Sequence, residues 1–127
     1  MMSAAIIGCG YIAGEGDLIS KRPQIFTHAK AIAYTDSIKL IACCDISIKT
    51  ARDFANKWNI NRVYTDLKTM LNVESVDILV ISSPTKFHHK HLAIGLSSAV
   101  KAIFCEKPIA DKYNSAVKLE LQARKSK

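Results

Sequence analysis

The sequence predicts an α/β protein built on a doubly wound parallel sheet, and three observations predict it. Short apolar runs at Ser3–Ile7, Lys39–Cys44, Val76–Ile81 and Ala102–Cys105 alternate with segments of helical spacing. The run VDILVI at Val76–Ile81 is continuous and rich in β-branched residues, as in a strand buried on both faces. The first run breaks at Gly8-Cys9-Gly10 and resumes as a helix start at Tyr11-Ile12-Ala13. Crossovers in such a sheet are right-handed, and its ligands sit outside the carboxyl ends of the strands.

With 127 residues, 49% hydrophobic and 23% charged, the chain has the size and makeup of one globular domain, spanning 1–127. A net charge of +7 suits an anionic ligand. The Lys and Arg residues are scattered and not gathered with aromatics into a stripe, which argues against a nucleic acid partner. Cys9, Cys43, Cys44 and Cys105 show no CxxC spacing. They read as reduced, mostly buried residues of a cytoplasmic protein, with Cys43 and Cys44 on opposite faces of one strand. No basic segment precedes a long apolar run, and no window approaches the ~18 apolar residues of a membrane helix, so neither a signal peptide nor a membrane partner is expected.

Taken in order, Ser3–Ile7 is the first strand. Gly14-Glu15-Gly16-Asp17 and then Lys21-Arg22-Pro23 carry too many breakers for a helix interior, so an inserted loop of roughly a dozen residues is expected there. Thr27 then caps a helix to about Thr35 that buries Ala29, Ile32 and Ala33. Lys39–Cys44 is the second strand and ends on Asp45. Ser47 caps a helix with Ile48, Ala51, Phe54, Ala55 and Trp58 as its apolar stripe. Arg62–Tyr64 is a short strand, and 66–71 a short helix turning Leu67, Met70 and Leu71 inward. After Val76–Ile81 and the Ser82-Ser83-Pro84 break comes a helix over 88–98 with Leu92, Ala93 and Leu96 inward. Ala102–Cys105 is the last strand. Asp111 caps a final helix striped by Tyr113, Val117 and Leu121, where Arg124, Lys125 and Lys127 suit the negative end of the helix dipole.

The unusual residues fall at the strand ends. In a strand–turn–helix of this kind the first glycine turns the chain, the second lets backbone approach a pyrophosphate, and a small third residue lets the helix pack closely. Gly8, Gly10 and Ala13 fill those places. Asp45 stands where a carboxylate can accept both ribose hydroxyls of an adenosine, which favours NAD over NADP. It lies 35 residues past Gly10 instead of the usual ~20, and the inserted loop accounts for the excess. Lys49 and Arg52 follow closely enough to meet a 2′-phosphate, so NADP stays open. Glu106-Lys107-Pro108 ends the last strand. Lys107 can steady the charge that develops on a substrate oxygen during hydride transfer, with Glu106 as its partner or beside the nicotinamide ribose. His88, His89 and His91 do not share one helix face, so no metal site is expected. His88 is read as facing the cofactor crevice and the other two as surface residues.

In this order GCGYIAG, THAKA, IACCDIS, VYTDLKTML, VDILVISSPTKFH and KAIFCEKPIA resemble the N-terminal domain of the glucose-fructose oxidoreductase / inositol dehydrogenase (Gfo/Idh/MocA) family, over nearly the whole chain. The resemblance implies a Rossmann domain binding NAD, or NADP, and serving the oxidation or reduction of a hydroxyl on a sugar, inositol or related polyol. It implies that Gly8, Gly10, Tyr11, Ile12 and Ala13 line the pyrophosphate turn and that Asp45 holds the adenosine ribose. It further implies that Ser83, Pro84, Thr85 and His88 border the adenine-distal half of the cofactor, with Glu106 by the nicotinamide ribose and Lys107 as the catalytic lysine. His28 falls where the family often carries a histidine and is read as structural or loop-anchoring.

Two departures stand out. Ala99 replaces a glycine usual in the family, at a cost of about 1 kcal/mol if that backbone is left-handed. The second domain that closes the substrate pocket and builds an oligomer interface in the family has no counterpart in these residues. The chain is therefore expected to be the cofactor half of a dehydrogenase that binds dinucleotide without turnover alone, its sugar or polyol substrate, and any homo-oligomer, depending on a C-terminal domain. The alternative is a free-standing nucleotide-binding module acting with a partner. An exposed apolar surface where the second domain would dock would favour the first.

Overall fold

The computed structural model describes residues 1–19 and 23–126. Five parallel strands, β1 (Met2–Ile7), β2 (Ile38–Cys44), β3 (Arg62–Tyr64), β4 (Ile78–Ile81) and β5 (Ala102–Cys105), lie in the order β3-β2-β1-β4-β5. The expected doubly wound sheet is present, and the order reverses between β1 and β4, which opens a crevice at the carboxyl ends of those strands. Alternation along β1 sends Ala5 and Ile7 to one face and Ile6 to the other. Cys43 and Cys44 divide in the same way, and all four cysteines are free thiols.

The face of Ile6 and Val80 is covered by a π-helical turn (Tyr11–Glu15) running into α1 (Gly16–Ile19), by α2 (His28–Ala33) and by α3 (Ile48–Trp58). The face of Ile7, Leu79 and Ile81 is covered by α4 (Leu67–Val73), α5 (His88–Leu96) and α6 (Tyr113–Lys125). The caps read from sequence at Thr27 and Ser47 are in place, and Asp66 caps α4 as well. Thr27 accepts from Lys30 N–H at 3.4 Å, Ser47 from Thr50 N–H at 3.2 Å and Asp66 from Thr69 N–H at 2.8 Å. Asn59, the one non-glycine residue at positive φ among the described residues, ends α3. Ala99 is thus not left-handed, and the strain conditional on that geometry does not arise.

Four expectations are corrected. Residues 14–17 are helical and not a loop, because their glycines serve packing. A Cβ on Gly14 would lie 2.3 Å from Trp58 Nε1, and one on Gly16 3.0 Å from Phe26. Lys21 and Arg22 of the expected loop, like Lys127 in the C-terminal charge group, lie outside the described residues. Ala33 and Ile48 are exposed, since α2 and α3 meet the sheet through Ala29 and through Ala51, Phe54 and Ala55. Helix α6 starts after Lys112, which makes no side-chain cap, so Asp111 comes one residue too early. Its inward face carries Leu119, leaving Tyr113 and Leu121 exposed.

At the opposite end of the sheet Asp77 ties β1, β4 and β5 together. It sits 2.7 Å from Lys101 Nζ and accepts from Ser3 N–H at 2.8 Å and Ser3 Oγ at 3.0 Å. The Lys101 ammonium first, then the two Ser3 donors, hold its carboxyl down at about 2, from 3.8. A depressed pKa contributes stability above the unfolded value and loses it as pH falls toward the folded one. The thermal midpoint should therefore drop between pH 4 and roughly pH 2, less steeply in Asp77→Asn. Parallel pH curves for the two proteins would rule out this role.

Candidate functional site

The glycine turn is clamped from both sides at the β1/β4 crevice. Gly8 N–H donates to Cys44 O at 2.9 Å, and Ser82 Oγ donates to Gly8 O at 2.8 Å. Gly8 has φ +88, and a Cβ there would lie 2.3 Å from Ser83 N, so only glycine fits. Gly10 is the reverse case. A Cβ on Gly10 would meet no atom within 4 Å, because this part of the turn faces open space. The helical run from Tyr11 to Ile19 begins there, and the first N–H groups of a helix have no partner within it. Ala13 is fully buried against the sheet, while Tyr11 is exposed with its ring edge-on to Phe26 at 5.6 Å. Ile12 is half-buried.

Asp45 closes the neighbouring strand end and is already engaged. Its Oδ2 accepts from Cys9 N–H at 2.9 Å and its Oδ1 from Ser47 N–H at 2.9 Å. Each oxygen keeps a lone pair, so the carboxylate can still accept hydroxyls from the crevice. Lys49 turns away to Asp53 at 2.7 Å on an exposed helix face. A cavity of about 250 Å³ opens beside Asp45, between the ends of β1, β2 and β4 and the starts of α4 and α5. Ser83 and Pro84 line this same cavity, placing them on the Asp45 side of the crevice and not at its far half. Thr85 begins a single 3₁₀ turn just beyond.

His88 does not face the crevice. It is 1% exposed, with Nδ1 2.6 Å from Pro108 O and Nε2 2.6 Å from Ser83 O, so it joins the two strand-end turns from within. Glu106 does not pair with Lys107. Its Oε1 lies 2.8 Å from His28 Nε2, and the His28 ring meets the edge of Phe104 at 5.1 Å. His28 therefore anchors the start of α2 to the end of β5. Lys107 is exposed at that end, where the Lys107–Pro108 peptide bond is cis.

His91, read as a surface residue, is half-buried on the cavity wall with Nδ1 2.8 Å from Ser83 Oγ. Burial first, then Lys90 and His88, push its pKa down from 6.5. Phe87 and Thr65 also line the cavity and carried no local signal, because the order β3-β2-β1-β4-β5 alone brings α4 and α5 together there. Among the described residues no three His, Cys, Asp or Glu side chains gather as metal ligands would. No helix among them is long and apolar enough to cross a membrane.

Residues 2–127 match a family model described as an oxidoreductase family with an NAD-binding Rossmann fold, GFO_IDH_MocA. The chain is 28% identical to D-glucoside 3-dehydrogenase of Escherichia coli K12, over 86% of this chain and 28% of that protein. It is 28% identical to inositol 2-dehydrogenase of Salmonella typhimurium LT2, over 86% of this chain and 29% of that protein. The structure of myo-inositol 2-dehydrogenase from Lactobacillus plantarum superposes with a TM-score of 0.79 at 25% identity, covering 98% of this chain and 33% of that one. The chain thus spans under a third of the length of the curated relatives, at 28% and 29%.

Proposed function

Because the chain belongs to the Gfo/Idh/MocA oxidoreductase family, whose domain of this kind binds NAD, we infer that these residues are the cofactor half of a larger enzyme. That enzyme transfers a hydride between a nicotinamide and a hydroxyl or carbonyl of a sugar, inositol or related polyol. The observation that carries the reading is the contrast between the two glycines. Gly8 is packed against backbone, whereas Gly10 borders empty space at a helix start, the kind of cradle a pyrophosphate fills and a Cβ would occupy. The residues present fit the dinucleotide. Gly10, Tyr11 and Ile12 face the pyrophosphate through backbone N–H groups, Asp45 accepts the ribose hydroxyls, and Ser83 and Pro84 border the adenosine.

When bound, the nicotinamide supplies the hydride acceptor or donor. The Lys107 ammonium, exposed at the end of β5, stabilises negative charge on the substrate oxygen, and Glu106, oriented by His28, faces the nicotinamide ribose. NAD is favoured over NADP, since a carboxylate at Asp45 repels a 2′-phosphate and Lys49 is committed to Asp53. Phe104 in β5, Ile109 in the turn after it and Tyr113 at the start of α6 are 56%, 53% and 82% exposed, which supports a further domain and not a free-standing module.

The test is a titration with NADH and NADPH followed by nicotinamide fluorescence. Wild type should saturate with NADH. Gly10→Ala should keep its thermal midpoint within a few degrees yet bind NADH at least about tenfold more weakly, roughly 1.4 kcal/mol. Asp45→Asn should shrink the preference for NADH over NADPH. Tight NADPH binding by wild type would reverse the cofactor assignment, and binding of neither nucleotide would end the reading.

A further inference from the structure

The dinucleotide reading leaves His91 on the cavity wall without a task, and the geometry gives it one. The cavity beside Asp45 has apolar sides from Ile7, Leu67, Phe87 and Ile94, the surroundings a flat aromatic base requires. His91 is set into that wall in a fixed orientation. Its ring stacks on Phe87 with centroids 6.0 Å apart and an interplanar angle of 27°, and Nδ1 meets Ser83 Oγ at 2.8 Å. Ser83 is buried, and among the described residues its hydroxyl has no acceptor other than His91 Nδ1. A buried hydroxyl places its hydrogen on an available acceptor, so Ser83 donates and Nδ1 receives. In the neutral ring the proton then sits on Nε2, which has no partner among the described residues. Burial, Lys90 and His88 all favour that neutral form.

We propose that His91, oriented by Ser83, is a specificity residue that donates a hydrogen bond from Nε2 to an acceptor nitrogen on the purine edge of the bound nucleotide. The proposal rests on the dinucleotide reading and assigns this side chain to the adenine half of the ligand. His91 contacts the base alone, so its removal acts on the adenosine half of the ligand and not on the nicotinamide half. Ser83 is a positioning residue that acts through His91.

The experiment uses His91→Phe, which keeps an aromatic ring against Phe87 but has no donor, and His91→Gln, which restores a side-chain N–H. NADH is titrated by fluorescence, and AMP and reduced nicotinamide mononucleotide by protein-observed NMR. His91→Phe should weaken NADH and AMP by the same factor, about tenfold, and leave the mononucleotide unchanged. His91→Gln should recover part of both losses. An unchanged AMP affinity would overturn the proposal, as would equal losses for AMP and the nicotinamide mononucleotide. If wild type binds the mononucleotide and AMP but no NADH, it is the dinucleotide reading that fails, which separates the two outcomes.

Discussion

Gly8→Ala should be the most damaging single-methyl change in this chain, lowering stability by about 2–5 kcal/mol. Two costs add. The φ of +88 is one that an L side chain rarely adopts, worth about 1–2 kcal/mol. The new Cβ would also lie 2.3 Å from Ser83 N, 2.5 Å from Ser83 Cα and 2.6 Å from Ser82 C. Those are backbone atoms at the end of β4 and cannot swing aside as a flexible side chain can, so overpacking adds roughly 1–3 kcal/mol. At this chain length the thermal midpoint should fall by roughly 10 °C or more. Nucleotide binding should be lost with it, since the turn and the β4 end would separate. A midpoint within 2 °C of wild type (roughly 0.5 kcal/mol) would mean that the crevice is looser than the close Gly8–Ser83 approach implies. Paired with Gly10→Ala, which should lose binding but keep its fold, the change separates what the turn needs to exist from what it needs to hold a ligand.

The second large effect is expected at His88. Its two ring nitrogens each lie 2.6 Å from a carbonyl oxygen, Ser83 O on one side and Pro108 O on the other. In His88→Leu the volume is approximately kept, but both carbonyls face hydrocarbon. An imidazole carrying one ring proton donates to only one of the two, and an unsatisfied buried acceptor costs about 1–3 kcal/mol, so the loss should be roughly 1–3 kcal/mol. The damage should also concentrate at the strand ends. Amide hydrogen exchange should rise over 82–85 and 106–109 while the β1–β2 ladder stays protected. A destabilisation below about 1 kcal/mol, or exchange raised evenly through the sheet, would show that His88 is filler and not a tie between the two turns.

These effects mark where the sequence was readable. The strands were, because the ends of β1 (Ala4–Ile7) and β2 (Leu40–Cys44) and all of β4 are apolar without interruption and feed both faces of the sheet, a pattern that needs no partner to interpret. The helix caps at Thr27 and Ser47 were readable because they act within four residues of themselves. Gly14 and Gly16 misled because a glycine that breaks a helix and a glycine that admits a neighbouring ring are the same letter. Only Trp58 and Phe26, many residues away, distinguish them. The face of α6 was misplaced because Leu119 and Tyr113 are both apolar, and only the position of α5 decides which is covered. At the site, the places of Gly8 and Gly10 were legible from their spacing and that of Asp45 from its position at the end of the second strand. The roles of His88 and His91 were not, since one helical turn of difference sends the first into the wall behind the crevice and the second onto the cavity.

Asp45 also limits how this scaffold can change over evolutionary time. Its carboxylate holds Cys9 N–H and Ser47 N–H, so it closes the glycine turn and starts α3 before any nucleotide arrives. A lineage drifting toward a phosphorylated ribose cannot simply discard the acid, because the first step would strip two backbone donors of their acceptor. The accessible routes pass through residues such as Asn or Ser, which keep an acceptor on a short side chain, with a cation recruited later from a neighbouring position. Cofactor preference in this chain is thereby tethered to folding, and substitutions at this one strand end are filtered twice.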